Sequence, residues 1–460
     1  MPFVRLRAVA ANLMKKLFGT DGIRAQASKF PLDNETVPRI GASLAKRFTE
    51  RFDRAPRFVI GRDTRESGEW IEQAITAGAV SVGAEVESAG VITTPGVAFV
   101  TGAFEFDAGI VISASHNPYE DNGIKVFLPD GRKLDDTTER LIEGDIFSVW
   151  EPLGAGSNVS ATAANKAFQQ AYVDHLLGLF SHLRLDEIKI VVDCANGASS
   201  NYAAEILKRL GSDVVVINNS PDGRNINLDC GSLHLEGLQQ GVVETNADLG
   251  VAFDGDADRA LFVDEKGNVV DGDATLWILA RRLKDENKLT DSKVVATVMS
   301  NIGLEMALRS RDIELVRTSV GDKYVLEELL RSGAALGGEQ SGHIIIPQVS
   351  LVGDGIMTML SVLDALVAKK RKLSEAVEGF VRYPQVLVNV RVKEKKPFDD
   401  VPAIAQAAAE LERKLDGSGR LLLRYSGTEN LARVMIEGAD QNEIERFAND
   451  LANVIRHELG

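Results

Sequence analysis

Short apolar runs alternate with stretches in which apolar residues recur every three or four positions, and this plan repeats three times along the chain. RFVIGRD (57–63) reads as a strand, after which Ile71, Ala74, Ile75, Gly78 and Val82 fall on one helical face, ahead of Gly83 and a strand around Val86. KIVVD (189–193) precedes a helix carrying Ala203, Ile206, Leu207 and Leu210, which Gly211 ends before a strand at 214–217. KVVATVM from Lys293, a helix near Leu304 to Leu308 and a strand at 313–316 form the third unit. Strand–helix–strand order with short connections implies α/β layers with mixed or parallel sheets. The pattern then changes. Val386, Val388, Val390 and Val392 alternate strictly, as in a half-buried strand. A helix from about Val401, strands near Leu421 and at 433–437, and a terminal helix with Ile444, Phe447, Leu451, Val454 and Ile455 on one face make a small α+β unit. The expected domains are 15–157, 165–265, 266–382 and 383–460, with GAGSNVSATAA (154–164) as a linker and 1–14 as a disordered extension.

Composition narrows the class. The chain has 460 residues, 44% hydrophobic and 26% charged, which excludes collagen-like, disordered and disulfide-scaffold proteins. Its 52 basic and 67 acidic residues leave a net charge of −15. Nucleic-acid coating and membrane-surface binding both need a basic footprint, so neither is expected. An anionic ligand must instead meet a local cluster of Arg and Lys. Two cysteines, Cys194 and Cys230, argue for a reducing compartment, and no apolar run is long enough to span a bilayer. The basic opening MPFVRLRAVAANLMKK lacks a clean cleavage site, and Met14 is an alternative start.

Four loops carry candidate chemistry. DGDADR (254–259) places three carboxylates at alternate positions between two apolar strands, a hard-oxygen set suited to Mg²⁺ or Ca²⁺. An EF-hand is excluded because Arg259 stands at loop position six, where glycine is required. The bland alternative is a solvated acidic turn. ISASHNPYEDNGIK (112–125) follows a buried strand, so Ser115 stands at a strand end, the usual edge for α/β active sites. No GxSxG elbow surrounds it, which leaves a hydrolase triad unsupported. Taken singly, Ser115, His116 and Lys125 would pass for ordinary loop and surface residues. GGEQSGH (337–343) offers Glu339, Ser341 and His343 as acceptor, donor and titratable group, a mixture suited to a polyol. In RYSGTENLAR (424–433), Gly427 frees backbone N–H groups while Arg424, Ser426, Thr428 and Arg433 supply donors for a phosphate.

Together with FGTDGIR (18–24), the segments SASHNP (113–118), DGDADR, GEQSGH and SGTE (426–429) occur in one order over nearly the whole chain, and in this the sequence resembles the α-D-phosphohexomutases. The resemblance implies three similar mixed-sheet α/β domains and a smaller C-terminal α+β domain around a central cleft. It implies that Ser115 is a phosphoserine that gives its phosphoryl group to the sugar and later recovers one. Asp254, Asp256, Asp258 and a Ser115 phosphate oxygen would hold one Mg²⁺. Arg24 and Lys125 would be the acid/base and charge-stabilising pair, with His343 assisting proton transfer or substrate binding. Glu339 and Ser341 would hold sugar hydroxyls, and Arg424, Ser426, Gly427, Thr428 and Arg433 would clamp the non-reacting phosphate. The implied reaction interconverts glucosamine 6-phosphate and glucosamine 1-phosphate. Glucosamine 1,6-bisphosphate serves as intermediate and activator, and the product feeds nucleotide-sugar and cell-wall precursor synthesis. The expected partner is a small phosphosugar in the cytoplasm, with neither nucleic acid nor membrane; a homodimer is compatible with the family.

Several positions depart from the family pattern. Ala25 stands where glycine is usual, Lys323 where arginine is common, and Asn430 where proline often follows SGTE. Lys323 lacks the bidentate fork of arginine, which weakens its claim to a phosphate. Within the family, Gln340 and the FGTDGIR opening favour the amino sugar over mannose or glucose phosphates. Outside it stand a metal-dependent sugar-phosphate phosphatase, which would release free phosphate, and a silent sugar-phosphate sensor, which would not need Ser115 together with all three aspartates.

Overall fold

The computed structural model describes residues 17–148, 163–426 and 429–460; the expected extension 1–14 and most of the expected linker lie outside them. Three of its sheets share one plan. In the first, strand Arg57–Arg62 is flanked in parallel by Glu85–Val91 and Ala108–Ile112, and Asp121–Phe127 then pairs antiparallel with Ala108–Ile112. Two further strands, Gly22–Gln26 and Phe18–Gly19, extend that edge. In the second, Lys189–Asp193 lies between Asp213–Ile217 and Leu249–Phe253, with Ala260–Asp264 turned back antiparallel and Val269–Val270 beyond it. In the third, Lys293–Thr297 lies between Glu314–Thr318 and Gly337–Gly338, and Ile344–Ile345 is the reversed strand.

This shared topology places the functional loops. In each sheet the third strand of the parallel set turns straight into the reversed strand. The turns are residues 113–120, 254–259 and 339–343, which contain SASHNP, DGDADR and EQSGH. Each loop therefore leaves the carboxyl end of a buried parallel strand, where α/β folds leave room for a ligand.

The helices pack largely as the apolar periodicity implies. Helix Gly68–Ser81 buries Ile71, Ile75 and Gly78 but stops one residue before Val82, which is exposed because Gly83 (φ +96°) turns the chain. One apolar core runs from Val59 through Phe168, Tyr172 and Phe253 to Leu363 and joins the three α/β units, while a second, around Ile40, Phe58 and Ile110, belongs to the first unit alone. Helix Lys166–Leu179 and Tyr202 help fasten them: Gln169 Nε2 donates to Ala89 O (2.9 Å), and the Tyr202 hydroxyl donates to Val91 O (2.6 Å).

The C-terminal unit has its own core. Antiparallel strands Gln385–Arg391, Leu431–Glu437 and Arg420–Tyr425 are covered by helices Pro402–Leu415 and Gln441–Leu459. Ile444, Leu451 and Ile455 are enclosed there, each worth about 1.5–3 kcal/mol of burial. One carboxylate ties this unit to the third domain. Glu437 accepts from Asn301 Nδ2 (3.2 Å), the Ile302 N–H (3.1 Å) and Arg420 Nε (2.9 Å). Among the described residues no helix is long and apolar enough to cross a membrane.

Candidate active site

The first two loops meet face to face. Ser115 is buried in the left-handed region (φ +55°), and its hydroxyl donates to Asp254 Oδ2 at 2.5 Å. Asp254, Asp256 and Asp258 are all buried, with ligand oxygens within 4.8 Å of one another. Gly255 is required between them, since a Cβ there would sit 2.6 Å from the Ser115 carbonyl oxygen. Thr94, at the start of helix Thr94–Ala103, donates from its hydroxyl to Asp256 Oδ2 (2.5 Å). The Lys125 ammonium, 1% exposed, reaches the same Asp256 oxygen (2.9 Å), Asp21 (3.0 Å) and Asp258 (3.6 Å).

Electrostatics within this cluster are uneven. Burial and the neighbouring Asp258 and Asp256 push the Asp254 carboxyl well above the usual range. Against its burial, Lys125 and His343 hold the Asp258 carboxyl well below it. Against their own burial, Asp21 and Asp256 push the Lys125 ammonium up, and Asp258 raises His343 to about 9. Burial, then Arg259 and Arg24, push His116 down to about 4. Asp256 Oδ1 and Asp258 Oδ1 are buried with no hydrogen-bond partner. Three converging carboxylates, two of them with an orphaned oxygen, are a donor set for a hard divalent cation, so the residues present fit a metal.

The third loop closes the site. A cavity of about 400 Å³ is lined by Arg24, Asp258, Arg259, Glu339 and His343, with the 17–22 segment and Val320 to Asp322. His343 Nδ1 lies 3.6 Å from Asp258 Oδ2, and Gly353 must lack a side chain because a Cβ would meet the imidazole at 2.4 Å. Glu339 accepts from the Gly321 N–H (3.2 Å), while the buried Ser341 hydroxyl has no partner and is not part of that lining. Gln340 turns away to Asp271 (3.3 Å).

The structure thus brings together Ser115, the three aspartates, Arg24, Lys125, Glu339 and His343. Arg424 and Arg433 belong to the C-terminal sheet and Ser426 directly follows its strand Arg420–Tyr425, and none of these residues lines the cavity. Arg424 and Arg433 face each other across adjacent strands, and burial, then Arg433, lower the Arg424 pKa. Gly427 and Thr428 lie outside the described residues. Lys323 pairs with Asp136 (2.5 Å) and lines a separate cavity between the first and third domains.

Sequence reading missed the residues that organise these groups. Asp21 pairs with Arg24 and Lys125 and lies 2.5 Å from Lys133, whose Nζ is also 2.5 Å from Asp322. Asp21 stands inside FGTDGIR, which was a usable signal; Lys133 and Asp322 had none. Asp63 and Arg65, directly after a buried strand, lie behind the Ser115 loop.

Comparison with known proteins identifies the family. Family models for phosphoglucomutase/phosphomannomutase match as α/β/α domain I over residues 15–151, domain II over 170–267, domain III over 271–383 and the C-terminal domain over 387–454. A phosphoglucosamine mutase of Solibacter usitatus is 51% identical, covering 97% of this chain and 100% of the relative. One from Caldicellulosiruptor bescii is 47% identical with the same coverage. In fold, the chain resembles a phosphoglucomutase/phosphomannomutase family protein of Burkholderia thailandensis (24% identity, TM-score 0.77, 97% and 98% of the two chains). It also resembles N-acetylphosphoglucosamine mutase of Aspergillus fumigatus in complex with GlcNAc-6P and magnesium (20% identity, TM-score 0.67, 99% of each chain). Four matched domains in order, and half the residues shared with a full-length relative, establish that the chain belongs to the phosphoglucomutase/phosphomannomutase family of α-D-phosphohexomutases.

Proposed function

We propose that this phosphosugar mutase interconverts glucosamine 6-phosphate and glucosamine 1-phosphate in the cytoplasm, with Ser115 carrying the transferred phosphoryl group. The observation that carries this reading is the Ser115 hydroxyl held 2.5 Å from Asp254 in a buried triad of carboxylates. Relatives 51% and 47% identical over nearly the whole chain, both named phosphoglucosamine mutase, support the sugar.

Asp254, Asp256, Asp258 and a Ser115 phosphate oxygen would hold Mg²⁺. Bound there, the ion neutralises phosphate charge and makes the serine oxygen a better leaving group. Phosphoryl transfer has a loose transition state with charge spread over the equatorial oxygens, so positioning and fixed positive charge matter most. Arg24 and Lys125 supply that charge from the first domain. His343, which lines the cavity and whose Nε2 is buried without a hydrogen-bond partner, would assist proton transfer or bind the substrate. Glu339 holds sugar hydroxyls from the cavity wall; Ser341, assigned the same role by the resemblance, would reach them only after a shift of its loop, since its hydroxyl is buried outside that lining. Arg424, Ser426, Gly427, Thr428 and Arg433 clamp the phosphate that is not reacting.

Transfer from Ser115 to the 1-hydroxyl gives glucosamine 1,6-bisphosphate. This turns over in the cleft and returns its 6-phosphate to Ser115. Both orientations need the same clamp, and a C-terminal unit with its own core, tied to the third domain by Glu437, is suited to following the substrate. Ser115→Ala tests the reading: binding of glucosamine 6-phosphate stays within about threefold, while isomerisation falls by about a thousandfold or more. Full activity in that variant refutes it.

A further inference from the structure

We propose that Arg65 is a positioning residue that sets the attack geometry of Ser115 by gripping the backbone of its loop from behind. The inference rests on the reading of Ser115 as the phosphoryl carrier.

Arg65 follows strand Arg57–Arg62 and is 1% exposed, and its guanidinium donors converge on one loop and on Asp63. Nε donates to Asp63 Oδ2 (2.9 Å). One terminal nitrogen donates to Pro118 O and Asp121 O, the other to Ser115 O (3.0 Å) and Asn117 O (2.8 Å). Asp63 Oδ2 also accepts from the Ser113 hydroxyl (2.6 Å), which in turn accepts the Ser115 N–H (2.9 Å). Both backbone polar groups of Ser115 are thus tied to one buried Arg–Asp pair. From the second domain, Asn227 Nδ2 donates to the same two carbonyls, Ser115 O (2.9 Å) and Asn117 O (3.2 Å).

Such a grip has a physical reason. A non-glycine residue in the left-handed region costs about 1–3 kcal/mol and persists only where its surroundings over-determine it. The φ of +55° is the conformation in which the Ser115 hydroxyl faces Asp254. Arg65 is buried and its guanidinium bonds go to Asp63 and to the backbone of residues 115–121, so it acts through the loop. Lysine has one nitrogen and cannot reproduce the planar fork that spans four carbonyls.

The test compares wild type, Arg65→Lys, Asn227→Ala and Ser115→Ala for kcat, for KM, and for hydrogen exchange in a peptide spanning 113–121. Arg65→Lys is expected to lower kcat by about a hundredfold with KM within about threefold, and Asn227→Ala by about tenfold. Both should speed exchange in the loop while strand Ala108–Ile112 keeps its protection. If Arg65→Lys does not fold, Asp63→Asn, which keeps Arg65 but weakens the carboxylate that orients its Nε and holds the Ser113 hydroxyl, decides by the same kcat and exchange readouts. Wild-type kcat with unchanged loop protection overturns the proposal, as does a loss confined to KM or to folded yield. An active Ser115→Ala instead removes the phosphoserine reading, and the exchange arm still reports whether the loop is gripped.

Discussion

Lys125 Nζ lies 2.9 Å from Asp256 Oδ2, and this buried pair is the cationic counterweight to the carboxylate triad. Asp21 and Asp258 share the same ammonium, so its loss leaves several enclosed carboxylates short of compensation. Breaking a buried ion pair by removing one partner costs about 3–5 kcal/mol. Lys125→Met is therefore expected to melt lower than wild type in EDTA and to regain more of that loss on adding Mg²⁺ than wild type gains. Activity should fall by about a hundredfold or more. Thermal melts with and without Mg²⁺ check this; equal Mg²⁺ shifts in the two proteins would contradict it.

Asp354 provides a pH signature distinct from the carboxylate triad, although its neighbours Gly353 and Gly355 pack on His343 and on the 254–259 loop. It caps helix Gly355–Lys369 through the Met357 N–H (2.9 Å) and accepts from the Tyr172 hydroxyl (2.8 Å), and burial pushes its carboxyl up to about 6. An unfolded Asp titrates near about 3.9, so the folded state keeps its proton longer. The contribution is fully present below about pH 4 and is lost as pH rises through about 6, by about 3 kcal/mol. Denaturant unfolding from acid to neutral pH should show Asp354→Asn losing less stability than wild type over that window. Parallel curves would count against it.

Burial pushes the Cys194 and Cys230 thiols up to about 12, and both side chains are enclosed. Thiolate is the reactive form. In native protein at mildly alkaline pH, iodoacetamide should leave both unmodified over an hour and label both in urea, as read by intact mass. Rapid native labelling would show that the second domain opens.

Much of the site was legible because its chemistry sits in short contiguous runs. DGDADR holds all three aspartates, and SASHNP holds Ser115. The charge network was not legible, because its members come from distant positions: Lys133 meets Asp21 across 112 residues and Asp322 across 189. Strand Gly337–Gly338 was hidden for a different reason. It has no apolar side chain and exists because Val295 and Ala296 pair with it. Gln340 marked the sugar class in the sequence, yet its amide turns to Asp271, so any influence on sugar choice passes through loop shape. The alternation of Val386 to Val392 did locate a strand, since a sheet with one covered face needs only local pattern.

The central claim is a phosphoryl transfer between two positions of an amino sugar. Phosphorus NMR of the protein with Mg²⁺ and a trace of hexose 1,6-bisphosphate, offered glucosamine 6-phosphate, mannose 6-phosphate or glucose 6-phosphate in separate tubes, tests it most directly. The account predicts fast, preferential appearance of glucosamine 1-phosphate. Preference for mannose or glucose would contradict the assigned sugar, and inorganic phosphate as the sole product would contradict the mutase reaction itself.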